Sequence, residues 1–303
     1  MAGHTPSRPP QPPIFRAGTD LALVRFQVVR GSHYVDGLKP TDIRLLEDGR
    51  ERPVEFFEGG CGATRSRPID IALLFDISGS VMDPGLLDRV IYRRAFIDGL
   101  STARTSVYAF SDRLWRVAVG VRDPDSLENA LQRVMRSNQE DGPPKRTAER
   151  GGYSWVCEAL AATAREPVPP DSTHAVVLPT DGRKSTTTQA NDVEGDLLAL
   201  GVSVFPVLVG HANFVQAWGR ATAYQAEVEN LSSLARQTGG RTFDPVVVDS
   251  TSLSTALAIV SETIRCEYVV GVSPAATPAP RRAVRLHVTE SPAAPSASPA
   301  PDG

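Results

Sequence analysis

The sequence predicts an α/β fold: a Rossmann-like, mostly parallel sheet with helices on both faces, plus a small flanking β module built from both chain ends. Three observations predict it. Between residues 68 and 265, apolar runs at 69–75, 175–178 and 203–209 alternate with amphipathic helical stretches, the order of a parallel sheet with crossover helices. Those runs are continuous rather than alternating, as in strands buried on both faces. Outside that region, near 20–58 and 267–289, apolar and polar residues alternate instead, the pattern of sheets with one wet face.

Residues 1–17 are polar and Pro-rich and are expected to be disordered. Residues 18–60 read as the β unit. Val24, Phe26 and Val28 alternate with Arg25 and Gln27, while Ile43 and Leu45, then Val54 and Phe56, supply further strands. Asp36-Gly37 and Asp48-Gly49 are hairpin-type turns. So few strands make a weak core, so strands within 267–290 are expected to complete the module. The larger unit, 68–265, is then inserted between its parts.

In that unit Asp83-Pro84 reads as an N-cap followed by an N1 proline, with Leu87, Val90, Ile91 and Ala95 as the inward stripe. Two strands, 106–110 and 115–119, are joined by a turn at Ser111-Asp112-Arg113. Asp123-Pro124 caps a helix that faces Leu127, Leu131 and Val134 inward. A polar loop, 137–152, leads into a helix over 155–165. A strand at 174–178 follows, then a helix ending at Leu200 with Gly201 as its C′ residue, and a strand at 203–209. A helix ending at Gln237-Thr238-Gly239-Gly240, a strand at 241–243 and a final helix from about 252 to 265 complete the set. The tail, 291–303, is Pro/Ala-rich and is expected to be disordered.

A net charge of −3 over 303 residues gives no field for nucleic acid or acidic lipid. No transmembrane segment is present: the best apolar stretch, 197–210, is short of the roughly 20 residues needed and holds Pro206. Residues 1–13 lack the basic start and apolar stretch of a signal peptide. The three cysteines, Cys61, Cys157 and Cys266, have no zinc or redox spacing. They are three ordinary thiols, or Cys61, just before the first core strand, pairs with Cys266, just after the last core helix. Cys157 reads as a small buried residue.

The chemistry gathers where strands end. The run at 69–75 breaks into Asp76-Ile77-Ser78-Gly79-Ser80, and the one at 175–178 into Thr180-Asp181-Gly182; between them lies Gly151-Gly152-Tyr153-Ser154. In such sheets ligands bind at the carboxyl ends of strands. These three loops offer hard oxygen donors, which suit Mg2+, Mn2+ or Ca2+. Ser78, Ser80 and Ser154 would hold a cation without saturating its charge, and Asp76 and Asp181 would balance that charge. The remaining position would favour a carboxylate from an outside Asp or Glu.

Residues 69–265 resemble the von Willebrand factor type A domain. Asp76, Ser78 and Ser80 match the Asp-x-Ser-x-Ser loop of its metal-ion-dependent adhesion site, Ser154 stands at its Thr position, and Asp181 matches the Asp of its third loop. The departures are Ser for Thr, Tyr153 after the glycines, and Trp155-Val156-Cys157-Glu158 in the next turn. Thr238-Gly239-Gly240-Arg241, Glu267-Tyr268-Val269-Val270-Gly271 and the N-terminal β segment are similar to bacterial type A-related proteins of the acidobacterial type. The resemblance implies a divalent cation, Mg2+ first and Mn2+ or Ca2+ otherwise. It implies a protein ligand presenting Asp or Glu, and a final helix that shifts when the site fills. Members are often exported, whereas residues 1–13 show no leader, so the compartment stays open.

Tyr153, Trp155 and Gly182 are candidates for a ligand-binding lip beside the metal. His4, His33, His174, His211 and His287 do not cluster in the sequence, and His174 reads as structural. Gly152-Tyr153-Ser154-Trp155-Val156 lacks the second Gly of a nucleophile elbow. The chain is therefore expected to bind rather than catalyse. The alternative is a structural scaffold whose metal site is weak. Partner, ion and oligomeric state are not legible.

Overall fold

Strand order and burial follow from which faces of each strand are apolar. The computed structural model describes residues 21–30, 33–61, 68–78, 81, 89–100, 103–135, 155–169, 172–183, 188–209, 222–247, 249–273 and 284–289. In chain order the strands are β1 (Ala22–Phe26), β2 (Val29–Arg30), β3 (His33–Tyr34), β4 (Ile43–Glu47), β5 (Arg50–Arg52), β6 (Phe56–Gly59) and β7 (Ile69–Asp76). Helix α1 (Arg89–Arg93) runs into a π turn, Arg94–Asp98, before β8 (Arg104–Phe110), β9 (Leu114–Val121) and α2 (Pro124–Met135). Then come α3 (Val156–Ala164), β10 (Thr173–Thr180), α4 (Ala190–Ala199), β11 (Val202–Val209), α5 (Thr222–Gln237), β12 (Phe243–Val247), α6 (Ser250–Arg265), β13 (Tyr268–Val272) and β14 (Val284–Val288).

The central sheet has six strands in the order β12-β11-β10-β7-β8-β9. Every neighbouring pair is parallel except β8 and β9, which form the antiparallel edge. All eight residues of β7 and of β10 are buried, because apolar layers cover both faces. Leu73 and Phe75 face a layer with Tyr92, Phe96, Leu127 and Leu257. Leu74 faces the opposite layer with Leu160, Leu197 and Leu231. This is a Rossmann-like sheet, as the continuous apolar runs predicted.

Helix ends obey local chemistry. Asp123 caps α2 by accepting the Ser126 N–H at 2.8 Å, and Asp249 caps α6 by accepting the Ser252 N–H at 2.7 Å. Gly201, after α4, holds φ +63, the left-handed turn that glycine tolerates. Ile91 and Ala95 face inward as expected, but Val90 does not. Val90 is 44% exposed, whereas Tyr92, Ala95 and Phe96 are buried. These three, at i, i+3 and i+4, set the face, which leaves Val90 on the solvent side. Asp83-Pro84 and Leu87 lie outside the described residues.

The two chain ends pair with each other. β1 and β6 flank β13 in one antiparallel sheet, and β14 and β5 flank β4 in another. Ile43, Leu45, Val270 and Val272 are buried together between them, with Val24, Phe26 and Phe57 packed alongside. Tyr268 fastens the unit by donating to the Val35 carbonyl at 3.1 Å and accepting the Leu38 N–H at 3.3 Å. Cys61 and Cys266 are joined in a disulfide, and Cys157 is a buried thiol outside it. Among the described residues, no helix is long and apolar enough to cross a membrane.

Candidate metal centre

Because β7 is buried throughout, its last residue arrives in the interior and not in water: Asp76 is 2% exposed. The chain leaving β7 is held at once. The Ile77 N–H donates to the Phe110 carbonyl of β8 at 2.9 Å. The Ser78 N–H then folds back onto Asp76 Oδ1 at 2.8 Å, an Asx turn. A further turn closes where the Val81 N–H donates to the Ser78 carbonyl at 2.9 Å.

β10 brings the second loop to the same place. Thr180 Oγ1 donates to Asp76 Oδ2 at 2.8 Å and accepts the Gly182 N–H at 3.1 Å. One hydroxyl thereby ties the two strand ends together. Asp181 Oδ1 accepts the Arg183 N–H at 2.9 Å, and both Thr180 and Asp181 are 0% exposed. Gly182 takes φ +77, and a Cβ there would meet Val228 Cγ2 at 3.2 Å, so the tight exit requires glycine.

The electrostatics are costly as they stand. Burial pushes the Asp76 carboxyl up to about 6, and the neighbouring Asp181 charge pushes it the same way; hydrogen bonds from Ser78 and Thr180 offset part of this. Ser78 Oγ is buried, and its hydroxyl favours the charged Asp76 carboxyl, which leaves its lone pairs open to a cation. Two buried carboxylates that repel, beside a buried hydroxyl oxygen, fit a hard cation. Asp76, Ser78 and Asp181 are the described residues that would hold it.

Ser80, Ser154 and Tyr153 lie outside the described residues. Trp155 is 39% exposed at the start of α3, and its N–H donates to the Ser111 carbonyl at 2.9 Å, which puts it beside the β8–β9 hairpin. Gly182 is buried. Among the described residues, no three of His, Cys, Asp and Glu gather closely enough to hold a metal. The described donors here are two carboxylates and a hydroxyl.

Thr180 is the residue that motif reading left without a role. Its signal is a hydroxyl residue closing a strand whose preceding run, 175–178, is wholly apolar. His174 sits at the other end of β10. Burial, then the charges of Arg25 and Arg104, push it down to about 4, which agrees with a structural imidazole.

The model of the von Willebrand factor type A domain matches residues 70–256. No curated protein sequence matches the chain. Solved structures with a similar chain path include BatB from Bacteroides thetaiotaomicron, 15% identical with a TM-score of 0.48, covering 65% of this chain and 98% of that one. Another is proximal thread matrix protein 1 of the mussel byssus with a zinc-occupied metal-ion-dependent adhesion motif. It is 16% identical with a TM-score of 0.44, covering 72% of this chain and 49% of that one. A third is the manganese-loaded TRAP protein of Plasmodium vivax, 14% identical with a TM-score of 0.40, covering 76% and 80%.

Proposed function

Because the chain belongs to the von Willebrand factor type A domain family, we propose that it is a protein-binding module whose carboxyl-end site works through a divalent cation. Mg2+ is the first choice and Mn2+ or Ca2+ the alternatives. The observation that carries this reading is the Thr180 bridge. It holds Asp76 beside Asp181 although both are buried, an arrangement that repels without a cation. Asp76, Ser78 and Asp181 would hold the ion, joined by Ser80 and Ser154. Bound there, the cation supplies an electrophilic position for an Asp or Glu carboxylate of a protein ligand.

The chain's own residues provide the rest. Thr180 and the Ser78 N–H orient the two Asp76 oxygens. Gly182 lets the third loop turn away without filling the site. Trp155, exposed at the start of α3, offers an apolar surface to the incoming ligand. The site is read as binding and not catalytic.

Thermal unfolding in EDTA, Mg2+, Mn2+ and Ca2+, beside Asp181→Ala, tests this. A cation at a hundredfold excess over its Kd stabilises the native state by about 2.7 kcal/mol. The wild-type midpoint should rise with at least one ion, and the Asp181→Ala midpoint should not. No rise at millimolar metal favours a scaffold whose β module makes the contacts.

A further inference from the structure

At the opposite end of the sheet from Asp76 lies a groove of about 820 Å³. It runs between β1, the turn from α4 into β11, the end of α5 and the start of β14. Four side chains on it are Leu23, Leu198, Leu200 and Val284, exposed by 47%, 49%, 49% and 41%. Nine large apolar side chains are exposed among the described residues, so nearly half of them border this one concavity. Scattered exposed leucines need no explanation, but a cluster around a groove marks a contact surface. The volume is within the usual range for ligand-sized sites.

The groove's charges already have partners. Arg25 lies 3.5 Å from Glu267 and Arg236 lies 2.8 Å from Glu229. The four exposed apolar side chains remain uncovered. The nearest supply is the chain itself, because Leu21, where the described residues begin, lines the groove. Residues 1–20 contain one adjacent pair of large apolar residues, Ile14-Phe15. Phe15 is six residue steps from Leu21, a reach of at most about 20 Å. So short a tether presents the pair at an effective concentration of roughly millimolar or more.

We propose that Ile14 and Phe15 seat in this groove, so that the N-terminal segment straps the β module to the amino end of the central sheet. The proposal is independent of the metal centre. Hydrogen exchange on the full chain, wild type beside Ile14→Ser/Phe15→Ser, tests it. Amides of residues 22–26 and 198–202 should exchange about tenfold faster in the variant. A second measurement places Pro13→Cys with Leu198→Cys in a Cys157→Ala background. The cross-link should form within one chain, and about tenfold more slowly once Ile14 and Phe15 are serine. Unchanged exchange, or a cross-linking rate indifferent to the serines, overturns the proposal. Cross-linked dimers in place of monomers also overturn it and assign the groove to a second copy of the chain.

Discussion

Asp76 carries a burden that only a cation or a proton relieves. Its carboxyl is pushed up to about 6 from an ordinary value of 3.8. The native state therefore binds more protons than the unfolded state between those values. The contribution of Asp76 to metal-free stability accordingly rises as pH falls through that window, and its penalty is complete above pH 6. His174 acts with the opposite sign. Pushed down to about 4 from 6.5, it stays neutral while the unfolded imidazole gains a proton, so its contribution is lost as pH falls from 6.5 towards 4. Comparing wild type with Asp76→Asn cancels His174. The variant should be more stable than wild type in EDTA at pH 8 by about 1–3 kcal/mol, a midpoint gain of a few degrees. It should also lose any response to Mg2+. A metal-free variant that melts below wild type at pH 8 refutes this account. Thr180→Val tests the bridge. It keeps the shape and strand preference but removes the hydroxyl that serves Asp76 and Gly182. Stability should fall by about 1–3 kcal/mol, and Mn2+ affinity by roughly 10- to 100-fold, measured by calorimetric titration. Thr180→Ser should recover most of both.

At the scale of elements, much was legible because the signals were local. Continuous apolar runs announced β7, β10 and β11, since only strands covered on both faces can be apolar at every position. Asp123-Pro124 and Gly201 announced helix ends through chemistry confined to one turn. Asp76 and Asp181 were legible as a pair once both runs were seen to break at a carboxylate. What failed was phase and partnership. Val90 read as an inward residue because it falls in a helical stripe with Leu87, Ile91 and Ala95, but Tyr92 and Phe96 bury more surface and rotate the helix their way. The strand expected at 241–243 runs instead over Phe243–Val247, its limits set by pairing with β11. The role of Thr180 depends on an oxygen 104 residues away, which no local pattern encodes. The Cys61–Cys266 pairing was one of two open readings, and its strength is testable. It closes a loop with a sequence separation of 205, for which chain entropy gives an upper figure of about 5 kcal/mol. Reduction, or Cys266→Ser, should lower the melting midpoint by up to about 10 °C. Thiol labelling of the unfolded, non-reduced chain should find Cys157 alone.

For the molecule as a whole, the question is how far a change at the metal centre travels. Ile77 and Val81, on the loop leaving Asp76, share an apolar layer with Leu253, Leu257, Val260 and Ile264 of α6. A cation that fixes that loop therefore acts on α6 through that layer. The second half has further anchors. Thr263 shares a hydrogen bond with the Tyr34 hydroxyl, and Arg265 donates to the Cys61 carbonyl at 3.4 Å. The helix ends at Cys266, tied covalently to Cys61. Beyond it, β13 is the middle strand of a sheet whose edges come from the N-terminal segment. A rigid slide of α6 would have to drag that whole unit. Binding should therefore rearrange only the first half. In oxidised protein, Mg2+ should alter hydrogen exchange over residues 250–257 and leave 258–265 unchanged. In Cys61→Ser/Cys266→Ser the response should spread into 258–265, because one of the anchors is gone. An equal response along the full helix in oxidised protein would show that the β module moves with α6, and that the disulfide transmits the change instead of stopping it.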